Sequence, residues 1–389
     1  MRIGIVSETY PPEINGVALT VHNLAAGLAG RGHSVDLIRP RQPQPHLDEP
    51  GIEVLSVRGG SMPRYPGLRF GLPAGRALRQ HWMQQRPDAI YVATEGPLGW
   101  SAVRTATQLG IPVSSGFHTR FDSYADHYGV GWLTPLVRGY LRRFHRRAAT
   151  TLVPTDALAQ ELRALGIPNA RMLRRAVDTQ LFHPRHRSDA LRATWGVDAA
   201  TPVVLYVGRI AAEKNLELAV QTFRAIQQQV PKARYVWVGD GPARAALEAA
   251  HPDFIFAGMQ RGEALGQHYA SADLFLFPSL TETFGNVTLE ALASGLPVVA
   301  FDYGAAREHV NSDCGRRVPF GNEDGFVHAA CELACAAELA HSMRDAARGA
   351  VAGLDPQTVT TNFAGLLAAL KQPADSRIDP LAATNGSTP

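Results

Sequence analysis

Short apolar runs alternate with helical stretches along the chain. The runs are rich in β-branched residues and apolar throughout, which predicts strands buried on both faces of parallel sheets. They lie at Ile3–Val6, Val35–Ile38, Ala89–Ala93, Pro112–Ser115, Val203–Val207, Tyr235–Val238, Leu274–Phe277 and Pro297–Phe301. Most of them are followed by Gly, Pro or Ser. The pattern predicts an α/β protein whose sheets are covered by helices.

Two such strand–helix series predict two domains, a number that fits 389 residues. We place the first domain at residues 1–178 and the second at 179–357, with Asp178–Pro202 as a polar crossing between them. We expect a last helix at 358–371 to pack back on the first domain, and a disordered tail at 372–389. Ligands of such sheets bind beyond the carboxyl ends of the strands, so we look for chemistry in the loops there.

Charge is distributed unevenly although the net charge is only +3. Residues 1–178 contain 21 Lys and Arg against 13 Asp and Glu, whereas the remainder contains 17 against 22. This asymmetry favours an anionic partner for the first half. A general preference for arginine as the surface base explains it equally well, because Lys214, Lys232 and Lys371 are the only lysines.

Several classes of protein are disfavoured. No apolar run approaches the roughly 20 residues of a membrane span, and the run after Met1 is too short for a signal-peptide core. The odd number of cysteines (Cys314, Cys331 and Cys335) predicts a reduced, cytoplasmic protein without disulfides. His328, Cys331 and Cys335 share one predicted helical face, but a buried face explains them better than a metal site. A nicotinamide enzyme would carry a glycine fingerprint that is missing here, and nothing indicates a nucleic-acid partner.

Two loops after predicted strands carry candidate ligand contacts. The loop Ser7–Val17 contains Gly16, which permits the backbone to approach a bulky ligand group. The helix predicted after it has an N-terminus that favours an anion. An ordinary turn explains it as well. The loop Val207–Asn215 holds Arg209 and Lys214, which together suit a diphosphate. A solvated charged loop remains open as the alternative.

The segment Ser279–Pro297 is the most specific. Glu282 lies in the loop after a predicted strand, Gly285 permits a tight turn, and a helix is predicted from about Asn286 to Ser294. The first amides of that helix suit a phosphate. Glu290 lies one turn further on in an apolar context, where an unpaired carboxylate is unfavourable. Because a carboxylate accepts two hydroxyl hydrogens, one glutamate suits a sugar and the other a ribose.

These motifs resemble those of the family 4 retaining glycosyltransferases of the GT-B fold, over about residues 1–370. The matching pieces are Asn15–Val17, Phe117–Thr119, Gly208-Arg209 with Glu213-Lys214, Val238–Pro242, and Glu282 with Glu290. The resemblance implies two Rossmann-like domains that face each other across a deep cleft. The segments Ala93–Ser101 and Phe117–Asp122 are most similar to those of bacterial GDP-mannose-dependent alpha-mannosyltransferases and diacylglycerol glycosyltransferases. Ala176 stands where relatives usually have glycine.

The resemblance also implies roles for individual residues. It gives catalytic roles to His118, which faces the hexose near O6, to Arg209 and Lys214, which neutralise the diphosphate, and to Glu282, which holds the hexose. It gives donor-binding roles to Asn15, Gly16, Val17, Gly239, Phe284, Gly285, Asn286, Val287 and Glu290. Among these, the helix start at Asn286–Val287 and the Gly16 backbone hold the diphosphate, and Glu290 holds the ribose.

We therefore expect a retaining enzyme that moves a hexose, with mannose or glucose favoured, from a nucleotide diphosphate sugar to a lipid or glycan acceptor. No Asp-x-Asp occurs, so we expect no metal and no other cofactor. The segment 132–147 mixes apolar and basic residues, which predicts either peripheral contact with an anionic membrane on its cytoplasmic face or a core-facing helix with a basic outer face. The alternatives are a nucleotide-sugar epimerase or hydrolase, and a non-catalytic binding protein.

Overall fold

The computed structural model describes residues 1–13, 15–42, 49–61, 69–118 and 134–371. The chain forms two compact units. One comprises Met1–Arg174 together with the chain from Gln357 onward, and the other comprises Arg175–Pro356. The division therefore falls at Arg174 rather than at residue 178. The tail expected at 372–389 lies outside the described residues.

The first unit is built on a parallel sheet of seven strands. Its strands are β1 (Arg2–Val6), β2 (Ser34–Pro40), β3 (Ile52–Val57), β6 (Ala89–Val92), β7 (Val113–Gly116), β8 (Thr150–Val153) and β9 (Ala170–Met172), in the order β3-β2-β1-β6-β7-β8-β9. A small antiparallel pair, β4 (Gly59–Ser61) and β5 (Arg69–Gly71), forms a separate sheet. The helices are α1 (Gly16–Ala29), α2 (Gly75–Gln84), α3 (Pro97–Gln108), α4 (Thr134–His145) and α5 (Asp156–Ala164). The strands β1 and β6 are buried almost throughout, as continuous apolar runs require, and β7 is buried as well although it contains Ser114 and Ser115.

The last helix, α14 (Pro356–Ala369), belongs to the first unit from Gln357 onward. The Phe363 ring lies edge-on to Tyr91 of β6, with 5.0 Å between the ring centroids. The Arg31 guanidinium donates to the Gln357 carbonyl at 2.6 Å, and Lys371 pairs with Asp88 at 2.7 Å. These contacts attach the end of the chain to the sheet that its beginning forms.

The second unit has a parallel sheet of six strands. They are β10 (Val203–Val207), β11 (Arg234–Val238), β12 (Ile255–Gly258), β13 (Leu274–Phe277), β14 (Val298–Phe301) and β15 (Gly315–Val318), in the order β12-β11-β10-β13-β14-β15. The helices are α6 (Asp189–Thr194), α7 (Leu216–Gln229), α8 (Arg244–Ala250), α9 (Gly262–Ser271), α10 (Asn286–Ala293), α11 (Gly304–His309), α12 (Glu323–Cys335) and α13 (Ala337–Gly349). The apolar cores lie on the two faces of this sheet.

The sequence predicts that the segment Asp178–Pro202 is a polar linker between the domains, but in the structure it is part of the second unit. It contains α6, and both Phe182 and Trp195 are buried in the core of the second unit. Arg192 is 1% exposed and donates to the carbonyls of Ser271, Asp198 and Thr201. The polar residues that suggested a linker therefore serve to cap and join elements of one unit.

Within the described ranges, no helix is both long and apolar enough to cross a membrane. The same residues contain no group of three or more His, Cys, Asp or Glu arranged to hold a metal ion. None of the three cysteines forms a disulfide, and two of them, Cys314 and Cys331, are buried.

Candidate active site

In the first unit, the loop after β1 leads directly into α1. Asn15 caps this helix: its Oδ1 accepts from the Ala18 amide at 2.8 Å, and its Nδ2 donates to Thr9 Oγ1 at 2.7 Å. The Asn15 side chain is thus used within the protein. Gly16 is exposed and Val17 is half-buried in the first turn of the helix. That turn contains no acidic side chain, so its amides can receive an anion.

The same loop is held in shape by buried polar groups. Thr9 Oγ1 donates to one oxygen of Glu13 at 2.8 Å, and Gln42 Nε2 donates to the other at 2.7 Å. Burial raises the pKa of the Glu13 carboxyl. The Arg39 guanidinium donates to the Pro11 carbonyl at 2.5 Å. The loop that carries Asn15 and Gly16 is therefore preorganised without a ligand.

His118 follows β7 at the same carboxyl edge of the sheet, and it is buried. Its Nε2 lies 2.7 Å from the hydroxyl of Tyr91, which stands on the intervening strand β6. The hydrogen bond fixes one ring nitrogen and with it the orientation of the imidazole. Thr119, which completes the motif, lies outside the described residues.

In the second unit, the loop after β10 carries both predicted cations. Arg209 forms an ion pair with Glu213, and its side chain is 44% exposed. Lys214 is only 13% exposed, and its Nζ lies 2.5 Å from Glu282 Oε1. Each cation thus already has a carboxylate partner. A charged diphosphate would have to share or replace those partners.

Gly239, directly after β11, lies where the backbone leaves no room for a side chain. Its φ angle is 135°, and a Cβ atom built there would lie 2.0 Å from the Gly208 carbonyl oxygen. The Ile210 amide also donates to the Asp240 carbonyl at 2.9 Å. A side chain at position 239 would therefore displace the loop that presents Arg209.

The loop after β13 brings Glu282 to Lys214. Ser279 Oγ donates to Glu282 Oε1 at 3.0 Å, and Thr281 Oγ1 donates to the Glu213 carbonyl at 3.0 Å. The second bond joins this loop to the one after β10, whose strand is the neighbour of β13. The two sequence motifs, 68 residues apart at Lys214 and Glu282, therefore form one site.

The helix α10 begins at Asn286. It follows the buried Phe284 and then Gly285, whose φ angle is 91°. No side chain caps the helix, and the Thr288 amide donates to the Gly285 carbonyl at 3.0 Å. The backbone at Asn286 and Val287 thus offers the N-terminal dipole end of an eight-residue helix. Glu282 stands in the turn that precedes it.

Glu290 lies inside α10 in an environment unlike that of Glu282. Its neighbours Leu289, Ala291 and Leu292 are fully buried, and its Oε2 accepts from the Tyr269 hydroxyl at 2.8 Å. Burial raises the pKa of Glu290 to about 7, and the tyrosine hydrogen bond partly opposes that rise. The side chain retains some solvent exposure.

The structure thus brings Arg209, Lys214 and Glu282 to one edge of the second sheet, together with the helix start at Asn286. Glu290 is one turn deeper. Three further groups of this region did not emerge from the sequence: Ser279, Tyr269 and Tyr303. The Tyr303 hydroxyl donates to the Ser279 carbonyl at 2.6 Å and accepts from the Glu282 amide at 3.2 Å. Its position just after the apolar run Pro297–Phe301 was the one available signal.

Comparison with known proteins gives two family matches. Residues 14–181 match the family described as Glycosyltransferase Family 4, and residues 201–335 match Glycosyl transferases group 1. A GDP-mannose-dependent alpha-mannosyltransferase of Mycobacterium tuberculosis is 36% identical over 313 residues, which are 79% of this chain and 81% of the relative. An alpha-monoglucosyldiacylglycerol synthase of Acholeplasma laidlawii is 29% identical over 322 residues, 77% of this chain and 80% of the relative.

Solved structures agree on the fold. Sucrose-phosphate synthase from Thermosynechococcus elongatus aligns with a TM-score of 0.78 at 19% identity, over 95% of this chain and 98% of that one. The Anabaena protein HepE in complex with UDP aligns with a TM-score of 0.75 at 18% identity, over 95% of this chain and all of that one. The predicted GT-B fold is confirmed. The chain belongs to glycosyltransferase family 4, and it is a glycosyltransferase.

Proposed function

We propose that the chain transfers a mannose or glucose unit, with retention of anomeric configuration, from a nucleotide diphosphate sugar to a lipid or glycan acceptor. The observation that carries the proposal is the contact of Lys214 with Glu282 beside the uncapped start of α10. A cation and helix amides for the diphosphate thus lie next to a carboxylate for sugar hydroxyls. Glu290 then takes the ribose.

The leaving diphosphate needs positive charge as the glycosidic bond breaks. We assign this role to Arg209, to Lys214 and to the amides at the start of α10, since preorganised donors stabilise charge that develops in the transition state. Glu282 holds the hexose with the Phe284 and Gly285 backbone. The family resemblance also implies a role near the hexose for His118 and a role at the diphosphate for the Gly16 backbone. The cations in this proposal are side chains, so no divalent metal is required.

Retention usually proceeds by double displacement with a carboxylate nucleophile. The sequence offers no evident nucleophile, and family resemblance favours substitution on one face of the sugar. In that route a phosphate oxygen of the donor takes the proton of the acceptor hydroxyl. The names of the relatives, which are alpha-mannosyltransferases and an alpha-monoglucosyldiacylglycerol synthase, support an alpha-linked product.

A donor screen and a product analysis test this proposal. GDP-mannose, UDP-glucose and UDP-glucuronate are compared for thermal stabilisation, because a ligand at about 100 times its Kd adds about 2.7 kcal/mol to the free energy of unfolding. The stabilising donor is then incubated with and without diacylglycerol or a soluble saccharide. An alpha-linked glycoside is expected. A beta-linked product contradicts retention, and free hexose or an epimerised nucleotide sugar as the main product contradicts transfer.

The acceptor side of the proposal depends on α4. Leu141 and Phe144 of this helix are buried, so the inner face packs on the core. The outer face exposes Leu136 (68%) and Tyr140 (42%) together with Arg138, Arg142 and Arg143, and the turn that follows the helix exposes Arg146 and Arg147. Trp132 and Leu133, part of the same sequence pattern, lie outside the described residues. Exposed apolar groups among arginines suit an anionic membrane surface.

We propose that this outer face makes peripheral contact with the cytoplasmic face of an anionic membrane where a lipid acceptor is met. The arginines Arg143 and Arg147 lie over the Trp100 ring, at 5.9 Å and 5.3 Å from its centroid. Each basic residue near an anionic leaflet contributes about 1 kcal/mol, and the attraction fades over a Debye length of about 8 Å. Binding should therefore weaken steeply as salt rises.

Cosedimentation with vesicles tests the membrane contact. The variant Arg143→Gln/Arg147→Gln should bind phosphatidylserine-containing vesicles less well than the wild type at low salt. The matched variant Arg76→Gln/Arg79→Gln, which changes two exposed arginines of α2 in the same unit, should bind like the wild type. Equal binding to neutral and anionic vesicles, together with efficient transfer to a soluble saccharide, favours a glycan acceptor instead.

A further inference from the structure

Tyr303 follows β14, at the edge of the sheet where the candidate site lies. One hydroxyl contacts both ends of a turn on the neighbouring loop: it donates to the Ser279 carbonyl at 2.6 Å and accepts from the Glu282 amide at 3.2 Å. Because β13 and β14 are adjacent strands, the loops that follow them are neighbours as well. Tyr303 therefore bridges the turn from Ser279 to Glu282.

The turn determines where the Glu282 carboxylate points. Ser279 Oγ and Lys214 Nζ both contact Oε1 of Glu282, at 3.0 Å and 2.5 Å. Among the residues that the structure describes, no contact is recorded for Oε2, and the side chain is 19% exposed. One oxygen is thus held within the protein while the other remains available to a ligand hydroxyl.

The same loop is held at a second place. The Ala305 amide donates to the Phe284 carbonyl at 2.7 Å. Gly304 makes this approach possible: its φ angle is 55°, and a Cβ atom there would lie 2.4 Å from that carbonyl oxygen. The three residues Tyr303–Ala305 therefore hold the loop at Ser279, at Glu282 and at Phe284.

The tyrosine ring has its own packing, separate from the hydroxyl. It lies edge-on to Phe320, with 5.1 Å between the centroids, and packs against the same core cluster as Leu280. Replacing the tyrosine by phenylalanine keeps this packing and removes the bridge. The chain thus offers a substitution that isolates the hydroxyl.

We propose that Tyr303 is a positioning residue for the donor sugar, acting through the turn that orients Glu282. The inference rests on the proposed function, in which Glu282 holds the hexose. Without the hydroxyl, the Ser279 carbonyl and the Glu282 amide lose a partner, and the carboxylate loses its fixed direction. Loss of the hydroxyl should therefore impair binding of the hexose and not of the nucleotide, because the carboxylate proposed for the ribose, Glu290, is held by a different tyrosine, Tyr269.

The test uses the full chain and the sugar nucleotide that stabilises it best among GDP-mannose, UDP-glucose and UDP-glucuronate. Tyr303→Phe should lower kcat/KM about 5- to 30-fold, a loss typical of an unpaired buried polar group. The Kd for the corresponding free GDP or UDP should change less than about twofold. The control is Tyr235→Phe, at a buried tyrosine of β11 whose hydroxyl has no hydrogen-bond partner among the described residues. It should behave as the wild type.

A double-mutant cycle separates positioning from simple stabilisation. If Tyr303 acts through Glu282, then Tyr303→Phe/Glu282→Gln should lose no more activity than Glu282→Gln alone. Additive losses overturn the proposal. So does an equal loss of kcat/KM and of free-nucleotide affinity, or wild-type kinetics in Tyr303→Phe. A wild-type chain that binds none of the three donors and transfers no sugar contradicts the proposed function itself.

Discussion

Glu282 and Glu290 lie eight positions apart in the sequence, yet their surroundings differ in kind. Glu282 stands in a turn and contacts the Lys214 ammonium at 2.5 Å. Glu290 stands inside α10 among buried apolar residues, and the partner recorded for its carboxylate is the neutral hydroxyl of Tyr269 at 2.8 Å. One carboxylate has a countercharge before any ligand arrives, whereas the other has only a hydrogen bond within the part of the chain that the structure describes.

If both glutamates bind the donor as we propose, the difference means that two identical side chains serve one ligand in different ways. At Glu282 the Lys214 ammonium lies beside the carboxylate, where a phosphate can share it. A buried carboxylate without a cation has a raised pKa, which for Glu290 is about 7. Binding at Glu282 should therefore depend on Lys214, whereas binding at Glu290 should depend on pH.

The largest effect is expected from Lys214→Ala. The change removes a cation from the proposed diphosphate site and leaves Glu282 without its countercharge. We expect a loss of about 2–4 kcal/mol of transition-state stabilisation, roughly 30- to 1,000-fold in kcat/KM. Arg209→Ala should fall at the lower end of this range, because Arg209 is 44% exposed and pairs with Glu213.

Steady-state kinetics on folded variants measure this loss. Lys232→Ala, at an exposed lysine of the same unit, is the matched control and should have wild-type kinetics. Wild-type turnover in folded Lys214→Ala would rule out its role at the diphosphate.

The next effect separates the two carboxylates directly. Glu282→Gln should lower kcat/KM for the sugar nucleotide by roughly 10- to 100-fold while the Kd for free GDP or UDP changes little. Glu290→Gln should weaken binding of the free nucleotide by roughly 5- to 30-fold, since charged hydrogen bonds to the ribose are lost. Calorimetry with the free nucleotide decides the matter. If both variants lose the same affinity, the proposed division of the donor is refuted.

A smaller effect should follow from the pKa of Glu290. The ionised carboxylate accepts two hydroxyl hydrogens and the protonated form does not, so binding should weaken as pH falls through about 7. Between pH 8 and pH 6, affinity for the intact sugar nucleotide should fall roughly tenfold. The intact donor is the right probe because its diphosphate does not titrate in this range. Glu290→Gln should show a flat profile, and a flat profile in the wild type would contradict the assignment.

Much of the second unit could be predicted from the sequence because its central strands are continuous apolar runs. Val203–Val207 and Leu274–Phe277 have the predicted bounds, and α10 begins at Asn286 as expected. The edge strand β15 was not among the runs we named, because Arg316 and Arg317 interrupt its apolar pattern. An edge strand is buried less and therefore has a weaker pattern.

The site was predictable only in part. Arg209, Lys214 and Glu282 could be proposed because charged residues after buried strands mark the ligand edge of a parallel sheet. The contacts of Tyr269 and Tyr303 could not, because each is a hydrogen bond to a residue 21 or 24 positions away. A buried tyrosine looks like any other core aromatic until its hydroxyl partner is known. The segment 178–202 was misjudged for the same reason, since the Ser271 carbonyl, which joins Arg192 to the rest of the second unit, is 79 positions away.

The smallest effect is expected from removal of divalent metal ions. Metal-dependent transferases typically bind the diphosphate-bound cation with a pair of carboxylates, often in the motif Asp-x-Asp. This chain contains no Asp-x-Asp. Lys214 already occupies the place beside Glu282 where such an ion would compete, and like charges at short range repel. Wild-type activity in excess EDTA should therefore stay within about twofold of its value in Mg²⁺.

The variant Lys214→Ala provides the sharper measurement, because its Glu282 lacks a countercharge. Any stimulation of activity by Mg²⁺ or Mn²⁺ should appear in that variant and not in the wild type. Complete loss of wild-type activity with EDTA, restored by Mg²⁺ or Mn²⁺, would show that the lysine is not the cation that serves the diphosphate.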